Sequence, residues 1–341
     1  MIQYIHMKQK TILCCDIDST EQVYLEPFLK RLKLEASFCR QPLSSKIARQ
    51  HSTAEILVCF INSQVTAEIL QQLPNLKLIT TMSTGYDHID LEYCRTHNIS
   101  VTNVPMYGVA TVAEHTFALL LALTRKVPQS VINTRTGSFS LNGLEGIDLE
   151  GKTLGIIGFG KIGQHVARIA YGFGLRVIAY DMYKDKVTAR KLSTDYVSLK
   201  SLLKQSDIIS LHAPLTNTNH HLLNQRTFKL IKPTAYLINT ARGELIDSSA
   251  LLKAMQENRL AGAGLDVLED ECVIQEEPEL LKLKSCPIPS LQAVKQLLKH
   301  PKVIVTPHNA FNTREANERI LQTTIENIKN FLKNNPINIV S

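Results

Sequence analysis

The 341-residue sequence predicts an α/β protein made of two doubly wound domains, one inserted into the other. Three observations predict it. Short apolar, β-branched runs alternate with amphipathic stretches from end to end. A glycine-rich turn, GFGKIG at Gly158 to Gly163, arrives almost halfway along, after one full alternating series has already been completed. A long amphipathic stretch then closes the chain.

In the first series the strands are expected at 11–16, 35–39, 55–61, 76–82 and 100–104, with helical patterns at 21–32 and 67–73. That is already one α/β domain. TVAEHTFALLLALTRKV, at 111–127, reads as a helix apolar nearly all round and therefore buried. The second series gives strands at 153–157, 176–180, 208–212, 235–239, 262–267 and 302–306. Ile162, Val166, Ile169, Ala170 and Phe173 fall on one helical face. The closing helix is expected over 313–335, with Leu321, Ile325, Ile328 and Leu332 on one stripe. If it returns to the first domain, the glycine turn comes late because a complete Rossmann-like domain is inserted into another α/β domain. The expected division is a domain of 1–105 plus 307–341 and an inserted domain of 106–306.

Composition narrows the function. No apolar run is long enough to span a bilayer, and the start lacks the layout of a secretion signal. Seven cysteines without a C-x-x-C pair or a metal-like Cys/His spacing point to a reduced, cytoplasmic protein with no metal. The net charge of +7 is scattered, without a basic run interleaved with aromatics, so neither nucleic acid nor membrane is an expected partner.

GFGKIG has the spacing of a dinucleotide fingerprint, and it follows the strand TLGII and opens a helix, as that use requires. Gly158 permits the tight turn, Gly160 lets backbone approach a pyrophosphate, and Gly163 lets helix pack on strand. The helix N-terminus then presents unpaired N–H groups and a positive dipole end to the phosphates. The next strand, RVIAY, ends in Asp181, 23 positions beyond Gly158. A carboxylate there accepts from the adenosine ribose hydroxyls and repels a 2′-phosphate, which argues for NAD over NADP. Lys184 and Lys186 just beyond soften that discrimination.

A dinucleotide site names a cofactor and not a reaction. The reacting groups are expected where the later strands end. LINTARGELID (237–247) supplies Arg242, GAGLDVLEDE (262–271) supplies Asp266 and Glu271, and VIVTPHNAF (303–311) supplies His308. These are the parts for reducing a 2-oxo acid. Arginine holds the planar, anionic substrate, and histidine gives a proton to the carbonyl oxygen as hydride arrives. A carboxylate fixes the imidazole and favours its protonated form. Glu269, Asp270 and Glu271 are adjacent, so the residues alone leave open which of them meets His308.

With MSTGYDHIDL (82–91), NVPMYGVATVAEH (103–115) and LHAPLTNTNHHLLN (211–224) added in order, the chain resembles the D-isomer-specific 2-hydroxyacid dehydrogenases over nearly its whole length. HNAFNT at 308–313 resembles their D-lactate dehydrogenase-like branch. The resemblance implies an NAD-binding domain inserted into a flavodoxin-like substrate domain, with both chain ends in the latter. It implies that Arg242 binds the substrate's carboxylate and carbonyl, that His308 is the acid/base and that Glu271 is its partner. It implies cofactor contacts at Gly158, Gly160, Lys161, Ile162, Gly163, Asp181, His212, Ala213, Pro214, Thr218, Thr240, Ala241, Arg242, Asp266 and His308, with Asp266 near the nicotinamide amide. Backbone around Thr84 and Gly85 is implied to hold the substrate carboxylate, with Tyr107 and Phe311 as pocket walls and the helix near 111–127 in a homodimer interface.

The expected reaction is therefore the reversible, NADH-dependent reduction of a 2-oxo acid to the (R)-2-hydroxy acid, with pyruvate and D-lactate as the leading pair. Glyoxylate or hydroxypyruvate reductase, phosphoglycerate dehydrogenase and phosphite dehydrogenase share the scaffold. An NAD-sensing, corepressor-like binding protein needs the cofactor site but no turnover, and the presence of all three reacting side chains favours the enzyme. The stretch between Glu271 and His308, which includes 273–298, is somewhat longer than is usual in such proteins, with room for a short extra helix or a mobile loop near the cleft.

Overall fold

The computed structural model describes residues 10–276 and 288–340. They divide into two compact units: residues up to Tyr107 together with those from Thr313, and Gly108–Asn312.

The first unit holds a five-stranded parallel sheet, β1 (Lys10–Cys15), β2 (Leu34–Cys39), β3 (Ile56–Cys59), β4 (Leu78–Thr81) and β5 (Ser100–Thr102), in the order β2-β1-β3-β4-β5. Its central strands are buried on both faces, which is why they read as unbroken apolar runs. The helix Ser19–Arg31 starts at a capping box in which Asp18 accepts from the Glu21 amide and Glu21 returns the bond to the Asp18 amide. The helix expected over 67–73 is shorter, Ala67–Leu70. The closing helix, Arg314–Leu332, is capped by Thr313 and belongs to this unit. Buried Asn327 donates to Thr80 Oγ1 and to the Asn103 carbonyl, and Val340 N–H donates to the Val101 carbonyl.

The second unit holds a seven-stranded parallel sheet: β6 (Thr153–Ile157), β7 (Arg176–Tyr180), β8 (Thr194–Tyr196), β9 (Ile208–Leu211), β10 (Tyr236–Asn239), β11 (Gly262–Leu265) and β12 (Val303–Val305). The order is β12-β11-β10-β9-β6-β7-β8, so the winding reverses between β6 and β9. In open parallel sheets ligands bind past the strand ends at such a reversal. Strand β8 was not expected. It is a three-residue edge strand, TDY, too short and polar to show a pattern. The apolar helix spans Val109–Thr124 and stops before 127, because Lys126 takes a left-handed backbone (φ +55°) and Pro128 opens a separate helix, Val127–Arg135.

The division falls after Tyr107 and after Asn312, a few residues beyond the expected bounds. Residues 308–310 stay with the second unit because His308 N–H donates to the Asp266 carbonyl and the Asn309 and Ala310 amides donate to the Asp266 carboxylate. Helices Glu271–Glu276 and Pro289–Leu297 occupy part of the long stretch before β12, and residues 277–287 lie outside the described ones. No helix among the described residues is long and apolar enough to cross a membrane.

Candidate active site

The loop after β6 closes on itself for steric reasons. Gly158 has φ +92°, and a Cβ there would lie 2.4 Å from the Ala213 nitrogen. Gly163 is equally committed, since its Cβ would meet the Gly158 carbonyl at 2.2 Å. These two glycines let β6, the helix Lys161–Gly172 and the end of β9 come together. Gly160 differs. It is the N-cap of that helix, and apart from its own chain neighbours no protein atom lies within 4 Å of where its Cβ would stand. The space above it is open to a ligand. Beyond it Lys161 is exposed, while Ile162 packs against the core.

Asp181, following β7, accepts from the Phe159 amide at 2.6 Å and from the Tyr183 amide at 2.8 Å. It therefore braces the glycine turn as well as standing where a ribose is expected. Past β9, burial pushes His212 down to about 3, so the ring is neutral. Its Nε2 pairs with Ser210 Oγ at 2.7 Å, and its buried Nδ1 has no protein partner. Pro214 O accepts from Asn219, and Thr218 Oγ1 lies 3.1 Å from Thr216 Oγ1.

After β10, Asn239 grips its own turn by accepting from Ala241 N–H and donating to Arg242 O. Arg242 Nη1 donates to Ala241 O at 2.8 Å, and buried Thr240 lies 3.1 Å from Thr116 Oγ1. A Cβ on Gly243 would stand 2.0 Å from the Leu268 carbonyl carbon, so only glycine lets the Arg242 turn lie against the segment leading to Glu271.

The three adjacent carboxylates go to three partners. Glu271 Oε1 meets His308 Nδ1 at 2.5 Å, Glu269 Oε1 meets His221 Nε2 at 2.6 Å, and Asp270 accepts from Ser290 Oγ. An ionised carboxylate only accepts, so Nδ1 carries the hydrogen and Nε2 of His308 is left for other work. His308 has φ +49°, a strained backbone of the kind that gathers at functional sites. Phe311 stands edge-on to its ring, centroids 6.5 Å apart.

Asp266 is 1% exposed. Burial pushes its carboxyl up, but bonds from His115, Thr306 and the Ala310 amide outweigh this and hold it below the usual range. It accepts from Thr306 Oγ1, Asn309 N–H and Ala310 N–H, which makes it the anchor of the turn that presents His308. Thr306 and His115, 3.1 Å apart, complete this anchor and were not singled out from the sequence. The available signal was a histidine beside Glu114 in a helix that is mostly apolar.

In the first unit Thr84 Oγ1 donates to Val104 O, and Thr84 O accepts from Asn103 at 2.8 Å. Because a trans peptide sets C=O and N–H in opposite directions, the Gly85 N–H points away from Asn103. Ser83 Oγ donates to Gly85 O. Tyr107 O accepts from Arg319 Nε at 2.9 Å.

Known proteins share the sequence and the fold that hold this glycine turn and this carboxylate–imidazole pair. The family model for the D-isomer specific 2-hydroxyacid dehydrogenase, NAD binding domain, matches residues 117–310. The chain belongs to the D-isomer specific 2-hydroxyacid dehydrogenase family. It is 38% identical over 295 residues to a glyoxylate reductase of Thermococcus litoralis, covering 84% of this chain and 83% of that one. It is 35% identical over 315 residues to a D-lactate dehydrogenase of Escherichia coli, covering 92% and 94%. The crystal structure of a D-lactate dehydrogenase from Aquifex aeolicus with NAD and lactic acid superposes with a TM-score of 0.87 at 36% identity, covering 95% of this chain and 96% of that one.

The residues fit the NAD of this family. The open space over Gly160 admits a phosphate that any side chain would obstruct, and the Lys161–Gly172 helix begins there with its free N–H groups. Gly160→Ala is accordingly expected to melt like the parent yet lose about tenfold in NADH affinity, roughly 1.4 kcal/mol. Gly158→Ala, which collides with backbone, is expected to lower the melting temperature as well. Differential scanning fluorimetry beside an NADH titration separates the two.

Proposed function

We propose that this dehydrogenase reversibly reduces a small 2-oxo acid to the (R)-2-hydroxy acid with NADH, and that pyruvate and D-lactate are its pair. The observation that carries this is the His308–Glu271 pair, held in the same unit as the glycine turn. NADH bound there supplies the hydride. Arg242 binds the substrate's carboxylate and carbonyl through its planar fork. His308 Nε2 gives its proton to the carbonyl oxygen as that atom gains charge, and takes one back in oxidation. Glu271 keeps the ring's orientation by accepting its Nδ1–H, which leaves Nε2 to face the substrate. Phe311, edge-on to His308, is a wall suited to a short apolar side chain. The D-lactate dehydrogenase relatives favour pyruvate, and the Thermococcus relative makes glyoxylate the second candidate.

The test is a panel of pyruvate, glyoxylate, hydroxypyruvate and longer 2-oxo acids with NADH, followed by nicotinamide absorbance. Pyruvate is expected to give the highest kcat/KM; preference for glyoxylate would transfer the assignment to that reaction, and absence of turnover with all would leave an NAD-binding protein without this chemistry.

Asp181 sets the cofactor. NADH is expected to be strongly preferred over NADPH, and Asp181→Ala to narrow the gap by on the order of 1–3 kcal/mol, the range of one charged hydrogen bond. Because Asp181 also braces Phe159, the same change lowers NADH affinity outright. Equal kcat/KM with both cofactors in the parent would remove Asp181 from this role.

The working form we propose is a homodimer. Val131 and Ile132 of the helix Val127–Arg135, with Phe139 (82% exposed) and Leu141 (83% exposed), leave apolar surface on the second unit that a second copy covers. Light scattering measures it directly.

A further inference from the structure

We propose that His220, His221 and Glu269 form a binding site for a divalent transition-metal ion, and that occupying it slows the dehydrogenase. The three offer ligand atoms that all lie within 4.8 Å of one another. One edge is nearly in place, with His221 Nε2 and Glu269 Oε1 at 2.6 Å. Two ligand atoms each about 2.0–2.1 Å from one tetrahedral zinc are roughly 3.4 Å apart, so this pair opens by under an ångström as the ion replaces the shared proton.

The surroundings hold two ligands and leave the third free to move. Glu269 is 9% exposed, and its other oxygen accepts from the Ser248 amide at 3.0 Å, which keeps the carboxylate aimed. His221 takes a left-handed backbone (φ +50°), and its N–H donates to Glu244 O at 2.8 Å. This turn brings the consecutive rings face to face, centroids 3.9 Å apart and planes 29° from parallel. Parallel rings do not aim their lone pairs at one point. His220 is exposed, however, and rotates towards the ion without giving up a buried contact. Two neutral imidazoles and one carboxylate suit zinc, nickel or copper, and are too few and too nitrogen-rich for calcium or magnesium.

Coupling to the reaction follows from what the ligands are attached to. Glu269 precedes by two residues the Glu271 that meets His308. His221 holds the carbonyl of Glu244, in the turn directly after Arg242. Drawing His221 and Glu269 around an ion shifts both anchors. This half of the inference rests on the roles proposed for Arg242, Glu271 and His308; the binding half does not.

Zinc is the probe, added to the full chain without an affinity tag and after chelator treatment. Isothermal titration calorimetry, which does not depend on turnover, is expected to show one ion per chain for the parent. His220→Ala, a surface change, is expected to weaken that binding by roughly tenfold or more while leaving metal-free kcat and KM unchanged. Zinc is expected to inhibit the parent at the concentration that fills the site, EDTA to restore it, and magnesium to do neither. No stoichiometric binding to the parent, or equal binding by His220→Ala, overturns the site. Stoichiometric binding without inhibition overturns the coupling.

Discussion

Arg242→Lys is expected to lower kcat/KM for 2-oxo acids by on the order of 10²- to 10³-fold, about 3–4 kcal/mol, while the NADH dissociation constant and the melting temperature barely change. Lysine keeps the charge and loses the geometry. A guanidinium presents parallel N–H donors that meet a carboxylate oxygen and a carbonyl oxygen together, where an ammonium is a point charge on a flexible stem. One Arg242 nitrogen is tied to Ala241 O at 2.8 Å, and the backbone of the turn is fixed from both sides by Asn239. Lysine cannot make the Ala241 contact and the bidentate one at once, so the variant loses orientation in the substrate complex. The loss is expected mainly in KM for the 2-oxo acid, with kcat following because the carbonyl is no longer held in line. Normal binding and turnover by Arg242→Lys would reassign Arg242 to structure, with its fork serving the turn alone.

How much of this was legible beforehand depended on whether the signal was local. Strands buried on both faces, such as Ile56–Cys59 and Tyr236–Asn239, are continuous apolar runs and were readable. The edge strand Thr194–Tyr196 was not, because three residues show no period. The apolar stretch at 111–127 hid its break, since Lys126 adopts a left-handed backbone that its side chain does not advertise. The resemblance, not the residues, set Glu271 beside His308, whereas Arg242 and His308 were readable as polar residues ending apolar strands. The sorting of Glu269, Asp270 and Glu271 among His221, Ser290 and His308 was not. It depends on a left-handed Asp270 (φ +56°) and on partners up to 48 positions away. Separations of 40 and 191 positions concealed the Asp266, Thr306 and His115 anchor, and two histidines stand beside a glutamate with no spacing to betray them.

His308→Gln is expected to cost roughly 10²–10⁴-fold in kcat/KM, the usual contribution of general acid–base catalysis, and to cost it equally in reduction and oxidation. Equality follows because the variant cannot change the equilibrium between the two acids, so lost transition-state stabilisation appears in both directions. Since His308 sits at φ +49°, asparagine, which tolerates left-handed backbone, serves as a second variant that preserves the turn. It is expected to fold like the parent and to be equally inactive, because an amide does not carry the proton. Glu271→Gln isolates the partner. The glutamine keeps the shape and an acceptor for Nδ1–H, but it exchanges a charge-assisted bond, worth about 1.5–3 kcal/mol, for a neutral one. It is expected to lower kcat by roughly 10- to 100-fold, with NADH binding unchanged, and Glu269→Gln or Asp270→Asn is not expected to reproduce that pattern because those carboxylates hold His221 and Ser290. Single-turnover reduction and steady-state oxidation at one pH measure all of these. If His308→Asn kept its rate within tenfold of the parent, the proton would have to come from elsewhere, and the His308–Glu271 pair would be a brace for the turn that Asp266 already anchors.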